Sequence, residues 1–314
     1  MSGTDLVSIV IPVYRDAERA HRAVEAILSQ TLPRQTSMEI IVVDDGSGDG
    51  TSERLSQLDD PRVRLLVLPE NVGRSAARNT GALAAHGTTL VFMDCDCLPE
   101  GDHFVTAHLH ALKNAVASTG HVTGSGKDFW GRYQRDASIR RQRQHANSMV
   151  YAGSSQNLAV RSAAFTDVGG FDTGYRQYGF EDRDLLIRLS QMGPVAWADA
   201  KVHHMDVLTL CEVSQKMMVS SHSSARFAKK HPDAYRALGY AAMDAREHSW
   251  LNPLGTMIAP IVRPIATAID RSEMLERLPY PAARALAKIV CGTAYLAGTS
   301  EHRSRSPLSD ADNH

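Results

Sequence analysis

Apolar and polar positions in the first hundred residues switch between a strand pattern and a helix pattern. Val7–Val13 is a β-rich apolar run, and Asp16–Leu32 places Ala20, Ala23, Val24, Ile27 and Leu28 on one helical face. Glu39–Val43 predicts a second strand, ending in Asp44-Asp45-Gly46-Ser47, followed by a short helix over Thr51–Leu58. Val63–Leu68 predicts a third strand and Ser75–Ala85 a helix of small residues. Thr89–Met93 predicts a fourth strand, ending in Asp94-Cys95-Asp96. Such β-α-β-α alternation implies right-handed crossovers and a mainly parallel sheet. Ligands of such sheets gather at the carboxyl ends of the strands, and both acidic clusters fall there.

Residues 125–148 break the pattern, being polar and rich in Arg and Gln around Trp130 and Tyr133, and predict a mobile loop or a surface helix. Order resumes at Tyr151–Val160. Gly169-Gly170 predicts a turn, Glu181–Gln191 a helix, Val195–His204 a strand and Leu210–His231 a long helix. Further on, Leu254, Met257, Ile258, Ile261, Val262, Ile265 and Ile269 share one helical face, but Pro260 and Pro264 argue against a straight helix. A second apolar patch spans Ala282–Ala297, and the polar tail from Glu301 predicts disorder.

Composition narrows the class. The 314 residues are 43% hydrophobic and 22% charged, an ordinary globular balance that excludes wholesale disorder. With 34 Lys+Arg against 35 Asp+Glu, the net charge of -1 gives no support to a polyanionic partner, so no nucleic acid is expected. Four cysteines are too few for a disulfide framework and suggest a reducing, cytoplasmic compartment. Leu6–Val13, broken by Pro12 and followed by Arg15 and Asp16, fits a first core strand and not a signal peptide. No apolar stretch is long enough to predict a transmembrane helix.

The acidic clusters supply the candidate chemistry. Residues two apart on a strand point the same way, so Asp94 and Asp96 at a strand end would form a hard-oxygen site for Mg²⁺ or Mn²⁺; a solvated turn is the plainer alternative. Cys95 and Cys97 would then face the other way, as a thiolate metal site or, more simply, as small core fillers. Asp44 and Asp45 offer acceptors to a nucleobase or ribose, or else cap the helix at Thr51. The segment Glu70–Asn79 opens a small-residue helix whose start and Arg78 suit a phosphate, or which merely packs closely on the sheet. Glu181, Asp182 and Asp184 stand in a helical first turn, where one acid could act as a general base or all three could serve the helix dipole. His203-His204, at the end of the next strand, offers a further metal ligand, and spacing alone does not choose between the two.

Together these segments resemble family 2 inverting glycosyltransferases of the GT-A nucleotide-sugar-binding fold. Pro12-Val13-Tyr14, Val42 to Thr51, Asn71 to Asn79 and Asp94-Cys95-Asp96 match the donor half, and Gly169 to Leu189 with His204 resemble the C-terminal element of galactosyltransferase-like enzymes. The resemblance implies an α/β fold with a mainly parallel sheet flanked by helices and a C-terminal helical extension. It implies a catalytic domain over 1–205 (donor half 1–100, acceptor half 101–205), an extension over 206–300 and a tail over 301–314. Pro12, Tyr14, Asp44 and Asp45 would line the uridine pocket, Arg78 and Asp94 would meet the ribose and phosphates, and Asp96, with Asp94 and His204, would hold Mn²⁺ or Mg²⁺. Asp182 would be the base and Glu181 would orient the acceptor. From their own composition, residues 125–148 would form either an acceptor lid, with Trp130 or Tyr133 stacking on a sugar ring and arginines near a lipid diphosphate, or an exposed helix with solvated arginines, and Tyr178 is a further candidate acceptor contact. Arg15 stands where the family usually has Asn, and Tyr178-Gly179-Phe180 replaces a frequent Trp-Gly-Gly.

The expected reaction is transfer of a hexose-type sugar from a nucleotide-sugar donor, a UDP-sugar by the resemblance, to a glycan or lipid-linked acceptor in cell-surface polysaccharide or glycan synthesis. Alternatives are a nucleotidyltransferase, which would want a basic Gly-rich loop where Tyr14–Glu18 stands, and a non-catalytic carbohydrate-binding protein, which would not need both Asp96 and Asp182. A dinucleotide oxidoreductase lacks its G-x-G-x-x-G after the first strand. For residues 250–298, burial of the apolar stripe in a core competes with peripheral membrane contact, the latter placing Arg271, Arg277, Arg284 and Lys288 near anionic headgroups on the cytoplasmic face.

Overall fold

One eight-stranded sheet organises the computed structural model, which describes residues 5–124 and 126–304. Its opening strands are β1 (Asp5–Val13), β2 (Thr36–Asp44), β3 (Val63–Val67) and β4 (Thr89–Phe92), linked by helices α1 (Ala17–Leu28), α2 (Thr51–Leu55) and α3 (Arg74–Ala84). All pairings among these four strands are parallel, with Ile9 opposite both Ile40 and Val91. The later strands are β5 (Cys97–Pro99), β6 (Ala117–Gly124), β7 (Leu158–Arg161) and β8 (Val195–His204). Interspersed helices are α4 (Phe104–Ala111), α5 (Phe129–Ala146), α6 (Ser162–Asp167) and α7 (Glu181–Met192). The sheet order is β3-β2-β1-β4-β7-β6-β8-β5. Four of its seven pairings are parallel; β7 runs antiparallel to β4 and β6, and β5 to β8.

Strand alternation explains the layers. Ile9 and Ile11 of β1 and Ile40 and Val42 of β2 pack with Val24 and Ile27 of α1 and Phe104 of α4. The intervening Val10, Ile41 and Val43 pack with Ala77 of α3 and Leu185 and Leu186 of α7 on the opposite face. Each fully buried aliphatic chain contributes about 1.5–3 kcal/mol. Helix α1 starts where Asp16 accepts a hydrogen bond from the Arg19 N–H. The small residues of α3 are explained by packing, since a Cβ at Gly81 would lie 2.4 Å from Val10 Cγ1.

The chain divides into two compact units. The first holds the described residues up to 126 with 131–176 and 181–206; the second holds 127–130, 177–180 and the described residues from 207. In the second, α8 (Leu210–Lys230), α9 (Pro232–Ala237), α10 (Asn252–Arg271), α11 (Met274–Arg277) and α12 (Tyr280–Ser304) form a helical body in which α12 packs on α8 and α10. A reciprocal capping box of Thr209 and Glu212 begins α8. Its core includes a polar knot: Tyr235 and Arg246 both bond Asp244, and Arg246 also reaches the Ser221 carbonyl at 2.9 Å.

Several sequence expectations change here. Residues 129–146 are helical, which selects the helix over the loop, while residue 125 lies outside the described residues. Helix α10 continues through Pro260 and Pro264, because both prolines are exposed and each removes a backbone bond on the outward side only. Residues 301–304, expected in the tail, extend α12, and 305–314 lie outside the described residues. Of the apolar stripe in α10, only Val262 and Ile269 are buried.

Candidate active site

The carboxyl ends of β1, β2 and β4 converge on the acidic segments. At the last residue of β2, Asp44 Oδ1 accepts from the Ser47 N–H at 3.0 Å, and Ser47 Oγ in turn accepts from the Arg15 N–H at 2.8 Å. Asp45 accepts with both oxygens from the backbone N–H groups of Val72 and Gly73, at 2.8 and 3.0 Å. This corrects its expected role as a pocket-lining acceptor: Asp45 clamps the 70–73 loop. Burial pushes its carboxyl up against the pull of those two N–H groups. The clamp needs Gly46, whose φ is +67° and whose Cβ would lie 2.3 Å from Glu70 C. Pro12 is half-buried near the end of β1. Tyr14 is exposed, with the Arg15 guanidinium 5.0 Å from its ring centroid, so this ring is open to stack on a planar ligand.

Asp94 and Asp96 do not share a strand face. Strand β4 ends at Phe92, and the Cys97 N–H closes a turn on the Asp94 carbonyl at 3.1 Å. The two side chains therefore part. Asp94 receives Arg78 Nη2, whereas Asp96 turns toward β8. Arg78 is 1% exposed, so the expected direct contact with ribose and phosphates is replaced by a buried ionic chain. Its Nη1 lies 3.5 Å from Glu181 Oε1, which also faces Arg74 at 3.7 Å. Glu181 is itself buried, which corrects its expected role as an acceptor contact. Burial and the neighbouring Asp182 charge push its carboxyl up, opposed by Arg74 and Arg78. Asp182, next in the first turn of α7, is only half-buried, and its Oδ1 accepts from the Arg183 N–H at 2.8 Å. Asp184 is buried and bonds Arg188 at 2.9 Å, a structural role.

Asp96, His204 and Asp206 bring one ligand atom each within 4.8 Å of one another. His204 Nε2 stands 3.2 Å from Asp96 Oδ2, and its Nδ1 accepts from the Asp206 N–H at 3.2 Å. The pairing of β5 with β8 sets this up, because Cys97 sits opposite His204. Of the two adjacent histidines, it is His204 that meets Asp96. Two carboxylates and an imidazole are a donor set that fits Mn²⁺ or Mg²⁺. Asp94, expected to share the ion, stands outside this group on Arg78. Cys95 and Cys97 are no rivals as ligands: Cys97 lies in the core with Cys95 against it, and burial pushes both thiols well up.

The glycosyl transferase family 2 model matches residues 8–170 of this sequence. The chain belongs to that family. It is 33% identical over 182 residues to Glycosyltransferase AglE of Haloferax volcanii, covering 52% of this chain and 55% of AglE. It is 39% identical over 90 residues to the succinoglycan biosynthesis protein ExoO of Rhizobium meliloti, covering 29% and 25%. The chain thus spans about half or less of the curated relatives it matches first. In fold it resembles mannosyltransferase PcManGT from Pyrobaculum calidifontis in complex with GDP-Man and Mn²⁺, with a TM-score of 0.58 and 19% identity, covering 98% of this chain and 89% of that one. It also resembles S. aureus TarS in complex with UDP-GlcNAc, with a TM-score of 0.52 and 15% identity, covering 98% and 94%. The fold is therefore GT-A.

The family 2 match ends before Glu181–Asp184, so those acids rest on their own geometry. Of the expected acceptor contacts in this family 2 member, Tyr178 is exposed with Lys216 Nζ 6.0 Å from its ring centroid, but Trp130 is 7% exposed and presents no open ring face. Phe129 stacks edge-on against Trp130 at 5.0 Å, which makes the pair part of a core. Sequence reasoning missed Asp206 and Arg19, whose Nη1 bonds Asp206 Oδ1. The His-x-Asp spacing of 204–206 was a visible signal for the first. Nothing local marks Arg19, which reaches the group from the first turn of α1.

Proposed function

We propose that this family 2 member is a metal-dependent inverting glycosyltransferase that moves a hexose-type sugar from a UDP-sugar to a hydroxyl of a glycan or lipid-linked acceptor, in cell-surface polysaccharide or glycan synthesis. The convergence of Asp96, His204 and Asp206 beside the nucleotide-binding strand ends carries this reading. A divalent cation held there would supply positive charge to the diphosphate leaving group.

The chain's own residues do the rest. Tyr14 stacks on the base, and Asp44 orients the nucleoside. Asp182, half-buried in the first turn of α7, accepts the acceptor hydroxyl proton. The acceptor oxygen bonds to the anomeric carbon while the bond to the diphosphate oxygen breaks, and the electron pair leaves with the nucleoside diphosphate. One displacement inverts the configuration, with no covalent intermediate. PcManGT and TarS bind nucleoside diphosphate sugars of different bases, so a donor screen with Mn²⁺ decides the nucleotide. The four cysteines are free, which supports a cytoplasmic site of action.

Asp182→Asn is the decisive variant. A general base is worth about 10²–10⁴-fold in rate, whereas a helix-dipole partner is worth about 0.3–1 kcal/mol of stability. Turnover should fall at least a hundredfold, with thermal midpoint and donor affinity near wild type. Retained turnover with a lowered midpoint would make Asp182 a cap and place the base elsewhere.

A further inference from the structure

Strands β6 and β8 run parallel but not in step. Residue meets residue as far as Thr119, which faces Trp197, and the next pair is His121 with Lys201. Across that step β6 advances by two residues, from Thr119 to His121, and β8 by four, from Trp197 to Lys201. The pairing then runs on to Gly124 opposite His204. Had the first offset continued, Gly124 would face Val202, and His204 would lie two residues, about 6.6 Å, further along. Its Nε2 is 3.2 Å from Asp96 Oδ2, a contact that such a shift would abolish. The two extra residues of β8 therefore decide which side chain meets Asp96.

One buried side chain spans the step. Asn157, just before β7, is fully buried, and its Nδ2 donates to the carbonyls of His121 at 2.8 Å and Ala200 at 3.1 Å, one on each strand. Carbonyls only accept, so the amide has one orientation, and its Oδ1 faces His108 Nε2 at 2.7 Å. That nitrogen must carry the imidazole proton, which leaves Nδ1 to accept from the Ser118 hydroxyl at 2.9 Å. His108 is fully buried, and burial pushes it down to about 4, so the ring stays neutral and keeps this tautomer. Gly120 leaves room for the arrangement: a Cβ there would lie 2.3 Å from the Ala200 oxygen and 2.9 Å from Asn157 Nδ2.

We propose that Asn157 is a positioning residue for the candidate metal group: by tying His121 to Ala200 it holds the step in register that delivers His204 to Asp96. It is not itself one of the grouped ligands and acts through the strand alone. Its consequence for the reaction rests on the metal-dependent reading above, whereas the strand geometry it fixes does not depend on an ion.

The test uses the full chain and three variants. Asn157→Ala removes both carbonyl bonds. His108→Leu takes away only the N–H that orients the amide, and His108→Gln can supply one again; this milder pair keeps the series readable if Asn157→Ala does not fold. Mn²⁺ alone is titrated into protein with isotope-labelled histidines, the two signals being assigned from His203→Gln and His204→Gln. In wild type Mn²⁺ should broaden His204 more strongly than His203. Asn157→Ala should lower Mn²⁺ affinity at least tenfold and erase that preference, His108→Leu should lower it about threefold, and His108→Gln should match wild type. Amide hydrogen exchange without metal is the second readout. The Met205 N–H, bonded to the Asp96 carbonyl at 2.8 Å, should lose protection in Asn157→Ala and, to a smaller degree, in His108→Leu. Ala196 and Trp197, which precede the step, should keep theirs. Uniform loss of protection along β8 would overturn the proposal. So would unchanged Mn²⁺ affinity and Met205 protection beneath a lowered melting temperature, since Asn157 would then only fill the core. If Mn²⁺ broadens neither histidine in wild type, the metal reading falls, and exchange at Met205 still decides the role of Asn157.

Discussion

Asp206 follows His204 by two positions, yet its side chain is held by an arginine 187 residues away. The guanidinium of Arg19 also faces Asp16 at 3.3 Å, so it balances acids on both sides of the candidate metal group. If Asp206 is a ligand, Asp206→Asn should lower Mn²⁺ affinity at least tenfold in calorimetric titration. The part-exposed Arg19 pair is worth about 1 kcal/mol or less, so the fold should survive. Asp94→Asn should leave the affinity for Mn²⁺ alone near wild type; an equal loss would return Asp94 to the ligand set. At this scale the sequence displayed the acids and their order but not their partners. Asp45, Asp94 and Glu181 each looked available to substrate, and each is engaged by backbone N–H groups or by Arg78. Such partners come from other elements and leave no local mark.

Elements were legible where periodicity was strong. The sequence predicts Val195–His204 residue for residue, and β1, β2 and α7 within a few positions, because continuous apolar runs mark the two buried strands and periodicity marks the others. The failures lie where an element ends. Alternation was carried past Phe92 into a turn, and two prolines were given more weight than an outward-facing position warrants. The amino ends of the first four strands hold a cross-strand device that no period announces. Glu39 of β2 accepts from Ser8 of β1 at 2.6 Å, from the His86 N–H before β4 at 2.7 Å, and from Arg64 of β3 at 3.2 Å. Burial opposes its charge, but Ser8, His86 and Arg64 together outweigh it and hold the carboxyl at about 2, below its ordinary 4.5. A lowered acid stabilises the fold above the unfolded value and loses that contribution as pH falls through the folded one. Wild-type stability should therefore drop between about pH 4.5 and 2. Glu39→Gln should be less stable at neutral pH by about 1–3 kcal/mol and show a flatter curve across that window. Parallel denaturation curves for the two proteins would remove Glu39 as the cause.

For the whole molecule, the chain passes between its two units after residues 126, 130, 176, 180 and 206. A polypeptide ending at residue 206 would keep β1 to β8 but strip the contacts of 127–130 and 177–180. Limited proteolysis of that fragment, read by mass spectrometry, should cut in both short segments, which full-length protein protects. Protection in the fragment would mean that both segments are held by the first unit. The second crossing has a further consequence through Phe180. Its φ of +73° is a conformation that costs a non-glycine residue about 1–2 kcal/mol. Its ring rests on Phe227 at 5.1 Å and on Tyr240 at 5.2 Å, and the next residue is Glu181. Synthesis runs from the N-terminus, so Tyr240 leaves the ribosome 60 residues after Phe180. Strands β1 to β4 are complete long before the turn ahead of α7 has anything to hold it. A nascent chain can thus complete its first four strands while Phe180 still lacks the two aromatic rings that hold its strained backbone.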